Sequence, residues 1–279
     1  MSTRATATAT ASTKPLTIVI TGASRGLGLG MAKSYLERGH KLGLCSRSDP
    51  PQDLELATKN YADRLYYQSK VDVTDPTSVR DFLTNVVNKF GTIDVWINNA
   101  GILQPIKPIR DTQAVAFQQN IQTNLMGVFY ATQAYIQHVR NARSKQQPQD
   151  PTIVTSTLIN ISSGAAIKGY AGWGAYCASK AAVDRLTECA LLEEQENETN
   201  DETFCFRAYS IAPGLVDTDM QATIRATSKE DFPMLSKFLD AKTNDSFNSP
   251  EYVAREIEKV AFVPGRQTGP VVMRIPSEK

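Results

Sequence analysis

Runs of apolar residues alternate with amphipathic stretches along the chain. The first run, LTIVIT at 16–21, is rich in β-branched residues and predicts a buried strand. Similar runs predict strands at 41–46, 66–71, 93–97, 152–162, 204–211 and 271–275. Helical periodicity and caps predict helices at 27–38, 53–60, 75–89, 111–140, from Gly174 and from Ser249-Pro250. This alternation predicts an α/β fold, namely a single-domain, doubly wound parallel sheet (Rossmann-type) with helices on both faces.

Three polar or mixed segments interrupt the pattern. Residues 1–14 are rich in Ala, Thr and Ser, which predicts a disordered tail before a domain at 15–279. Because this tail is basic and lacks acids, a targeting segment is the alternative. The acidic stretch 193–202 predicts a solvated loop. Residues 219–248 are longer than a connection between strands requires, which predicts a helical substrate lid.

Composition and charge exclude several classes of function. A composition of 41% hydrophobic and 21% charged residues is typical of a globular protein. The net charge of +1 gives no electrostatic support for a nucleic-acid partner. No apolar run reaches the ~18–20 residues that a membrane span needs. Four scattered cysteines predict reduced thiols in a cytoplasmic protein. Two histidines are too few for a His-rich metal site, so no metal is expected.

A glycine-rich turn follows the first predicted strand. Gly22, Gly26 and Gly28 are spaced as TGxxxGxG between that strand and a helix. Glycines in such a turn let the backbone approach a pyrophosphate, and the helix N-terminus presents amide groups to it. The segment GASRG also fits the nucleophile elbow of α/β-hydrolases, but that class needs a histidine late in the chain, and the last one is His138. The turn therefore predicts a dinucleotide site.

The end of the second strand indicates which dinucleotide binds. NAD sites place Asp or Glu about 20 residues after the glycines. Here the strand ends in Cys45-Ser46-Arg47, and Asp49 comes only after the arginine. A guanidinium at this position suits a 2′-phosphate, and Arg25 in the glycine turn adds a second positive charge. These residues predict NADP(H).

A serine, a tyrosine and a lysine form the candidate catalytic group. Tyr176 and Lys180 share one face of a predicted helix, and Ser163 follows the strand predicted at 152–162. A phenol has a pKa of about 10, and a neighbouring ammonium lowers it. We therefore expect Lys180 to make Tyr176 a better proton donor while Ser163 holds the carbonyl oxygen. Such a group would protonate a carbonyl as a hydride arrives.

The positions of the candidate residues support a common site. Six of them each follow a different predicted strand: Gly22, Arg47, Asp72, Asn99, Ser163 and Pro213. Because the carboxyl ends of parallel strands meet at one edge of a sheet, we expect these residues to line one crevice. The pattern YxxxK alone recurs by chance in unrelated chains, so the prediction depends on this joint placement.

Four motifs in this order resemble those of the short-chain dehydrogenase/reductase family, over about residues 15–276. They are Thr21-Gly22-x-x-x-Gly26-x-Gly28, Asn98-Asn99-Ala100-Gly101, Ser163 with Tyr176-x-x-x-Lys180, and Pro213-Gly214. The resemblance implies a catalytic tetrad of Asn124, Ser163, Tyr176 and Lys180. In it Tyr176 is the acid, Lys180 lowers the pKa of that acid and holds the nicotinamide ribose, and Ser163 fixes the substrate oxygen. Asn124 would position a water that links Lys180 to solvent.

The resemblance also implies how the cofactor is held. Asp72 and Val73 would flank the adenine, and Val216 and Thr218 would flank the carboxamide. The full predicted NADP(H) site comprises Gly22, Ser24, Arg25, Gly26, Leu27, Gly28, Ser46, Arg47, Asp72, Val73, Asn99, Ala100, Gly101, Tyr176, Lys180, Pro213, Gly214, Val216 and Thr218.

Within the family, the stretches 162–176 and 212–221 are similar to the benzil reductase and sepiapterin reductase group. Sepiapterin reductases hold their pterin with an aspartate near the C-terminus, and VVMRIPSEK at 271–279 has none. The predicted lid carries apolar positions, among them Met220, Ile224, Phe232 and Phe238, and Ile102, Leu103 and Trp173 are expected to form the opposite wall. Together they predict an apolar and aromatic pocket. The expected function is therefore NADPH-dependent reduction of a hydrophobic ketone or 1,2-diketone to a secondary alcohol, in preference to a charged sugar or a carboxylate.

Alternatives on the same fold stay open at this point. They are a sepiapterin reductase, a 3-oxoacyl thioester reductase and a non-catalytic NADP(H)-sensing regulator. The helices predicted at 111–140 and from Gly174 carry more apolar positions than one buried face requires, among them Val115 and Phe129. In the resembling family these two helices commonly pair across a two-fold axis, which implies a homodimer or homotetramer.

Overall fold

One parallel sheet organises the molecule. The computed structural model describes residues 14–144, 154–198, 204–267 and 269–279, so all but the last residue of the predicted tail lies outside the described residues. Within them seven strands pair in the order β3-β2-β1-β4-β5-β6-β7, all in parallel. The strands are β1 (Thr17–Thr21), β2 (Lys41–Cys45), β3 (Leu65–Gln68), β4 (Val95–Asn98), β5 (Val154–Ile161), β6 (Phe204–Ala212) and β7 (Val272–Arg274). The predicted doubly wound sheet is confirmed.

Helices connect the strands and cover the sheet. They are α1 (Gly26–Glu37), α2 (Gln52–Asn60), α3 (Pro76–Phe90), α4 (Ala114–Ile121), α5 (Gly127–Arg143), α6 (Gly174–Glu198), α7 (Asp219–Arg225), α8 (Leu235–Thr243) and α9 (Pro250–Ala261). The predicted caps of two helices are present: Asp75 accepts from the amide of Thr77, and Ser249 from that of Tyr252. None of the described helices is both long and apolar enough to cross a membrane.

Each face of the sheet has its own apolar core. Ile18 and Ile20 of β1 pack with Tyr35 of α1, and residues of α9 belong to the same cluster. Val19 of the same strand points the other way and packs in a cluster with Tyr135 of α5 and residues of α3 and α6. Successive side chains of a strand alternate between faces, so an uninterrupted apolar strand serves both cores. This explains why the sequences of the strands are continuous apolar runs.

The predicted acidic loop at 193–202 is wrong in its first half, because α6 continues to Glu198. Glu194 is 4% exposed and accepts hydrogen bonds from Arg140 Nε at 3.0 Å and Arg140 Nη2 at 2.9 Å. This ion pair ties the last turns of α6 to α5, so the acidic residues extend the helix. Residues 199–203 lie outside the described part of the chain.

Two other predicted boundaries also differ. The strand predicted at 66–71 ends at Gln68, because Lys70 adopts a left-handed φ of 61° that an extended strand does not allow. The helix predicted at 111–140 begins at Ala114 and contains a π-helical turn, Gln122–Met126, between α4 and α5. π turns inside helices are often found at functional sites. This one carries Asn124.

The strand order positions the site. β1 lies between β2 and β4, so the connections leave it toward opposite halves of the sheet. In open α/β sheets this switch point leaves a crevice at the carboxyl ends of the strands, where ligands bind. The glycine turn after β1 and the segment after β4 both lie there.

Candidate active site

A cleft of about 970 Å³ runs along the carboxyl edge of the sheet. Of the residues that the sequence predicts for the catalytic, cofactor and substrate sites, all line this cleft except Asn124. Asn124 is fully buried behind the wall of the cleft. The structure therefore brings the predicted residues together, while their individual roles remain predictions.

Tyr176 and Ser163 face each other across the connection between β5 and α6. Tyr176 lies in the first turn of α6 and is 7% exposed. Ser163 lies two residues beyond β5, where its hydroxyl accepts from the amide of Ala165 at 3.2 Å. Burial raises the pKa of Tyr176, and an interaction with the Ser163 hydroxyl lowers it by less. Tyr176 is therefore protonated at neutral pH, which is the form that can donate a proton.

The expectation that Lys180 lowers the pKa of Tyr176 is not met. The Lys180 Nζ atom donates to the carbonyl of Ile161 at 2.7 Å and lies 5.8 Å from the centre of the Tyr176 ring. Burial dominates both groups: it raises the pKa of the phenol and lowers that of Lys180 to about 8. The negative charge of Asp184 acts against this lowering. Lys180 is thus an ammonium at pH 7 that loses its proton in mildly alkaline solution.

Asn124 fixes the wall of the cleft from behind. Its Oδ1 atom accepts from the amide of Ile102 at 2.8 Å, and its Nδ2 atom donates to the Ile102 carbonyl at 2.7 Å and to Ser179 Oγ at 3.2 Å. A Cβ atom on Gly101 would lie 3.1 Å from Asn124 Oδ1 and 3.8 Å from Lys180 Nζ. Asn124 and Lys180 therefore meet at Gly101. The predicted role of Asn124 in positioning a water stays a prediction.

The glycine turn is packed as a dinucleotide cradle requires. Gly22 has φ +69°, and a Cβ atom there would lie 2.8 Å from the Cα of Ala100. A Cβ atom on Gly28 would lie 2.4 Å from the Gly22 carbonyl oxygen. The Asn99 side chain donates to the carbonyls of Thr21 and Gly22 at 3.0 Å each and holds the turn against the next segment. This close backbone packing at the start of α1 fits a bound pyrophosphate.

The end of β2 forms the adenosine end of the cleft. Arg47 is exposed, lines the cleft and has no ion-pair partner among the described residues. Ser46 is buried, and its hydroxyl lies 2.7 Å from the hydroxyl of Tyr67. Arg25 also lines the cleft, and its Nη1 atom lies 3.3 Å from Asp219 Oδ2 at the start of α7. Among the described residues, Asp72 and Asp219 are the only acidic side chains that line the cleft, so the residues around Arg47 suit a phosphate.

The substrate end of the cleft is aromatic, and here the predicted arrangement needs a correction. Trp173 does not stand opposite the lid but packs into it: its ring stacks on Phe232 with centres 4.6 Å apart and meets the Phe238 ring at 5.4 Å. On its other side Trp173 contacts Tyr176 edge-on at 5.7 Å. Lid and wall therefore form one apolar cluster that includes Tyr176.

The sequence did not predict several residues that line the cleft. Two are apolar or aromatic: Tyr170 and Leu215. Three are cations at the substrate end: Lys168, Lys237 and Arg274. Ile224 and Phe238, which belong to the apolar positions of the predicted lid, line the cleft as well. The position of Arg274 at the end of the last strand is the one signal that could have placed it at this edge, because strand ends converge there. The other four unpredicted residues lie in connections or in the lid, where sequence order does not indicate position.

Comparisons with known proteins identify the family. The model of the short chain dehydrogenase family matches residues 16–229, so the chain belongs to this family. A benzil reductase ((S)-benzoin forming) of Bacillus cereus is 33% identical over 247 residues, covering 87% of this chain and 92% of that protein. The benzil reductase ((S)-benzoin forming) of Bacillus subtilis is 30% identical, with 85% and 89% covered. The crystal structure of the KRED1-Pglu enzyme matches with a TM-score of 0.74 at 30% identity, over 89% of this chain and 96% of that one.

The family and the site define the class of chemistry. The protein is an oxidoreductase that acts on CH–OH or carbonyl groups with a nicotinamide cofactor. The glycine cradle, the Asn99 contacts and the positive charges at the adenosine end fit such a cofactor. The similarity to the two Bacillus benzil reductases supports its assignment as a carbonyl reductase.

Proposed function

We propose that the protein is an NADPH-dependent reductase of hydrophobic ketones, with aryl 1,2-diketones such as benzil as good substrates and a secondary alcohol as product. The observation that carries the proposal is the position of Tyr176. It lies between the Ser163 hydroxyl and the aromatic cluster of Trp173, in a cleft that continues to the glycine cradle. The names of the Bacillus relatives point to the same substrate class.

The preference for NADPH rests on charge. Arg47 follows β2 without a carboxylate before it and without an ion-pair partner among the described residues. A 2′-phosphate supplies the partner that this guanidinium lacks, and a 2′-hydroxyl does not. The hydroxyls of Ser46 and Tyr67, which are 2.7 Å apart, add polar groups at the same end of the cleft.

The side chains of the site suit reduction. A nicotinamide bound in the cleft would supply a hydride to the carbonyl carbon of the substrate. Ser163 donates a hydrogen bond to the carbonyl oxygen and fixes it beside Tyr176, and Tyr176 donates the proton that this oxygen gains. Because burial raises the pKa of Tyr176, the phenol carries its proton at neutral pH, and general acid catalysis of this kind contributes ~10²–10⁴-fold. Lys180, charged at pH 7, holds the ribose.

A carbonyl screen tests the proposed function. Purified protein is mixed with NADPH or NADH and a panel of benzil, diacetyl, sepiapterin and acetoacetyl-CoA, and the loss of reduced nicotinamide absorbance is followed. We expect benzil with NADPH to give the highest kcat/KM, and chiral chromatography to identify benzoin as the product. A best rate with sepiapterin or acetoacetyl-CoA would select that alternative. Tight NADPH binding without turnover of any carbonyl would indicate a sensor.

We further propose that the protein forms a homodimer or homotetramer through α4, α5 and α6. Val115 and Leu192 are 57% and 62% exposed, and Phe129 is 36% exposed. Large apolar side chains on exposed helix faces mark association surfaces when they form a patch. Light scattering at micromolar concentration should give a mass of two or four chains, and a monomer mass would contradict the proposal.

A further inference from the structure

Three cations line the substrate end of the cleft, and we call them the cationic rim: Lys168, Lys237 and Arg274. All three are exposed, and none of them makes an ion pair within the described residues. Nearby acids have other partners. Asp219 pairs with Arg25, and Asp217 pairs with Arg225 and Lys242. No carboxylate of the described residues therefore forms an ion pair with the rim.

The charge of the cleft exceeds what the cofactor explains. Of the described residues, six cationic and two acidic side chains line it, whereas the whole chain has a net charge of +1. Arg25, Arg47 and Lys180 lie where the phosphates and the ribose of NADPH would bind, so the cofactor accounts for them. The rim lies at the other end, beside the residues that surround the substrate. An anionic group on the substrate would account for the remaining three.

Arg274 reaches toward the reacting group. It ends β7, opposite Ala212 of β6, and β6 lies between β7 and β5. Neighbouring strands are about 4.8 Å apart, so the backbones of β7 and β5 are separated by about 10 Å. The arginine side chain spans most of this gap: its Nη1 atom lies 4.0 Å from where a Cβ atom of Gly164 would be. Gly164 directly follows Ser163, so the guanidinium lies next to the residue after the one whose hydroxyl is proposed to bind the substrate oxygen.

We propose that Arg274 binds a carboxylate next to the reacting ketone, which makes aryl 2-oxo acids substrates of this enzyme. The inference rests on the proposed function, because Ser163 and Tyr176 must hold the ketone oxygen. In an aryl 2-oxo acid the carboxylate occupies the position of the second carbonyl in a 1,2-diketone. A guanidinium stays charged at any physiological pH and matches a carboxylate with two parallel hydrogen bonds. Lys168 and Lys237 add attraction without needing direct contact.

The reaction itself is unchanged. The ketone carbon would gain the hydride that a bound nicotinamide would supply, and the ketone oxygen would gain the Tyr176 proton. The carboxylate would remain intact, so a 2-oxo acid would give a 2-hydroxy acid. This changes the expectation from sequence that carboxylates are disfavoured. The aromatic cluster still binds the aryl group, and the rim binds the charge on the other side of the ketone.

A matched pair of substrates tests the role of Arg274. Benzoylformate and its methyl ester share the aryl ketone and differ in one negative charge. We expect Arg274→Met to lower kcat/KM for benzoylformate by about tenfold, the lower end for a charge-assisted hydrogen bond because the residue is exposed. The same variant should change kcat/KM for the methyl ester by less than about twofold, since the lost contact is to the carboxylate. Arg266→Met removes an exposed charge outside the cleft and should change neither value.

Binding measurements separate this inference from the proposed function. In the presence of NADP⁺, benzoate should bind wild-type protein more tightly than it binds the Arg274→Met variant, whether or not any ketone is turned over. Failure of every ketone would refute the proposed function, and this benzoate difference would still support the carboxylate site. The role of Arg274 would be overturned if the Arg274→Met variant lost kcat/KM equally for benzoylformate and its methyl ester. It would also be overturned if wild-type protein and this variant bound benzoate with equal affinity. A third result would also overturn this role: the Arg274→Met variant lowers kcat/KM for acetoacetyl-CoA but leaves kcat/KM unchanged for its N-acetylcysteamine analogue and for benzoylformate. The anion bound by Arg274 would then be a phosphate of coenzyme A.

Discussion

The buried ammonium of Lys180 should give NADPH affinity a steep pH dependence. Lys180 is 5% exposed and donates to the Ile161 carbonyl, and burial lowers its pKa to about 8. An ordinary exposed lysine has a pKa of about 10.4 and stays charged up to pH 9. If the ammonium holds the nicotinamide ribose, only the protonated free enzyme binds NADPH with full affinity.

The expected magnitude follows from the charged fraction. With a pKa of about 8, Lys180 is about 90% protonated at pH 7 and about 10% protonated at pH 9. The apparent Kd is the intrinsic Kd divided by the competent fraction, so it should rise about tenfold over this interval. The direction is a loss of affinity as pH rises, because the folded-state pKa is lowered into this range.

Fluorescence titration of NADPH at pH 7, 8 and 9 and constant ionic strength measures this effect. The 2′-phosphate has a second pKa of about 6, so its charge is nearly constant across the series. Burial raises the pKa of Tyr176 and of Cys177, so neither group accounts for a transition near pH 8. Lys180→Arg keeps the charge and should give a flat profile, although its affinity at pH 7 is lower. A flat profile for wild-type protein, or the same slope in the arginine variant, would refute the reasoning.

Two further predictions concern the ends of the cleft. Arg47→Asp should weaken NADPH binding by at least about tenfold and spare NADH, since a carboxylate replaces the cation beside the 2′ position; an unchanged ratio of the two Kd values would make Arg47 a plain surface charge. Trp173→Ala should lower kcat/KM for benzil far more than for diacetyl, because the aryl group loses the ring stacked on Phe232. The substitution should also lower Tm, because replacing a buried Trp with Ala lowers the free energy of unfolding by about 3–5 kcal/mol. An equal decrease in kcat/KM for both diketones would exclude Trp173 from the pocket.

The fold and the convergence of the site residues could be predicted because they depend on local patterns. A β-branched run such as LTIVIT can be buried only as a strand with both faces covered, and parallel strands bring their carboxyl ends to one edge. Gly22 and Gly28 could be identified from their spacing after a predicted strand. The structure shows why glycine is required there, because a Cβ atom at either position would collide with backbone. Each of these features is readable within a few residues of sequence.

What could not be predicted depends on contacts between distant residues. The stacking of Trp173 on Phe232 joins wall and lid across 59 positions of sequence, and no periodicity signals it. The pKa of Lys180 depends on how deeply α6 packs against β5, which sequence spacing does not give. Arg274 reaches Gly164 across β6, so its place in the site depends on the strand order.

Tyr176→Phe tests the central claim most directly, since it removes only the hydroxyl that is proposed to donate the proton. The measurement is single turnover of benzil by enzyme already saturated with NADPH, with the NADPH Kd determined on the same preparation. We predict a rate lowered by at least about 10²-fold, in line with the loss of a general acid, and a Kd within about twofold of wild type. Benzoin formation at the wild-type rate by the phenylalanine variant would contradict the account.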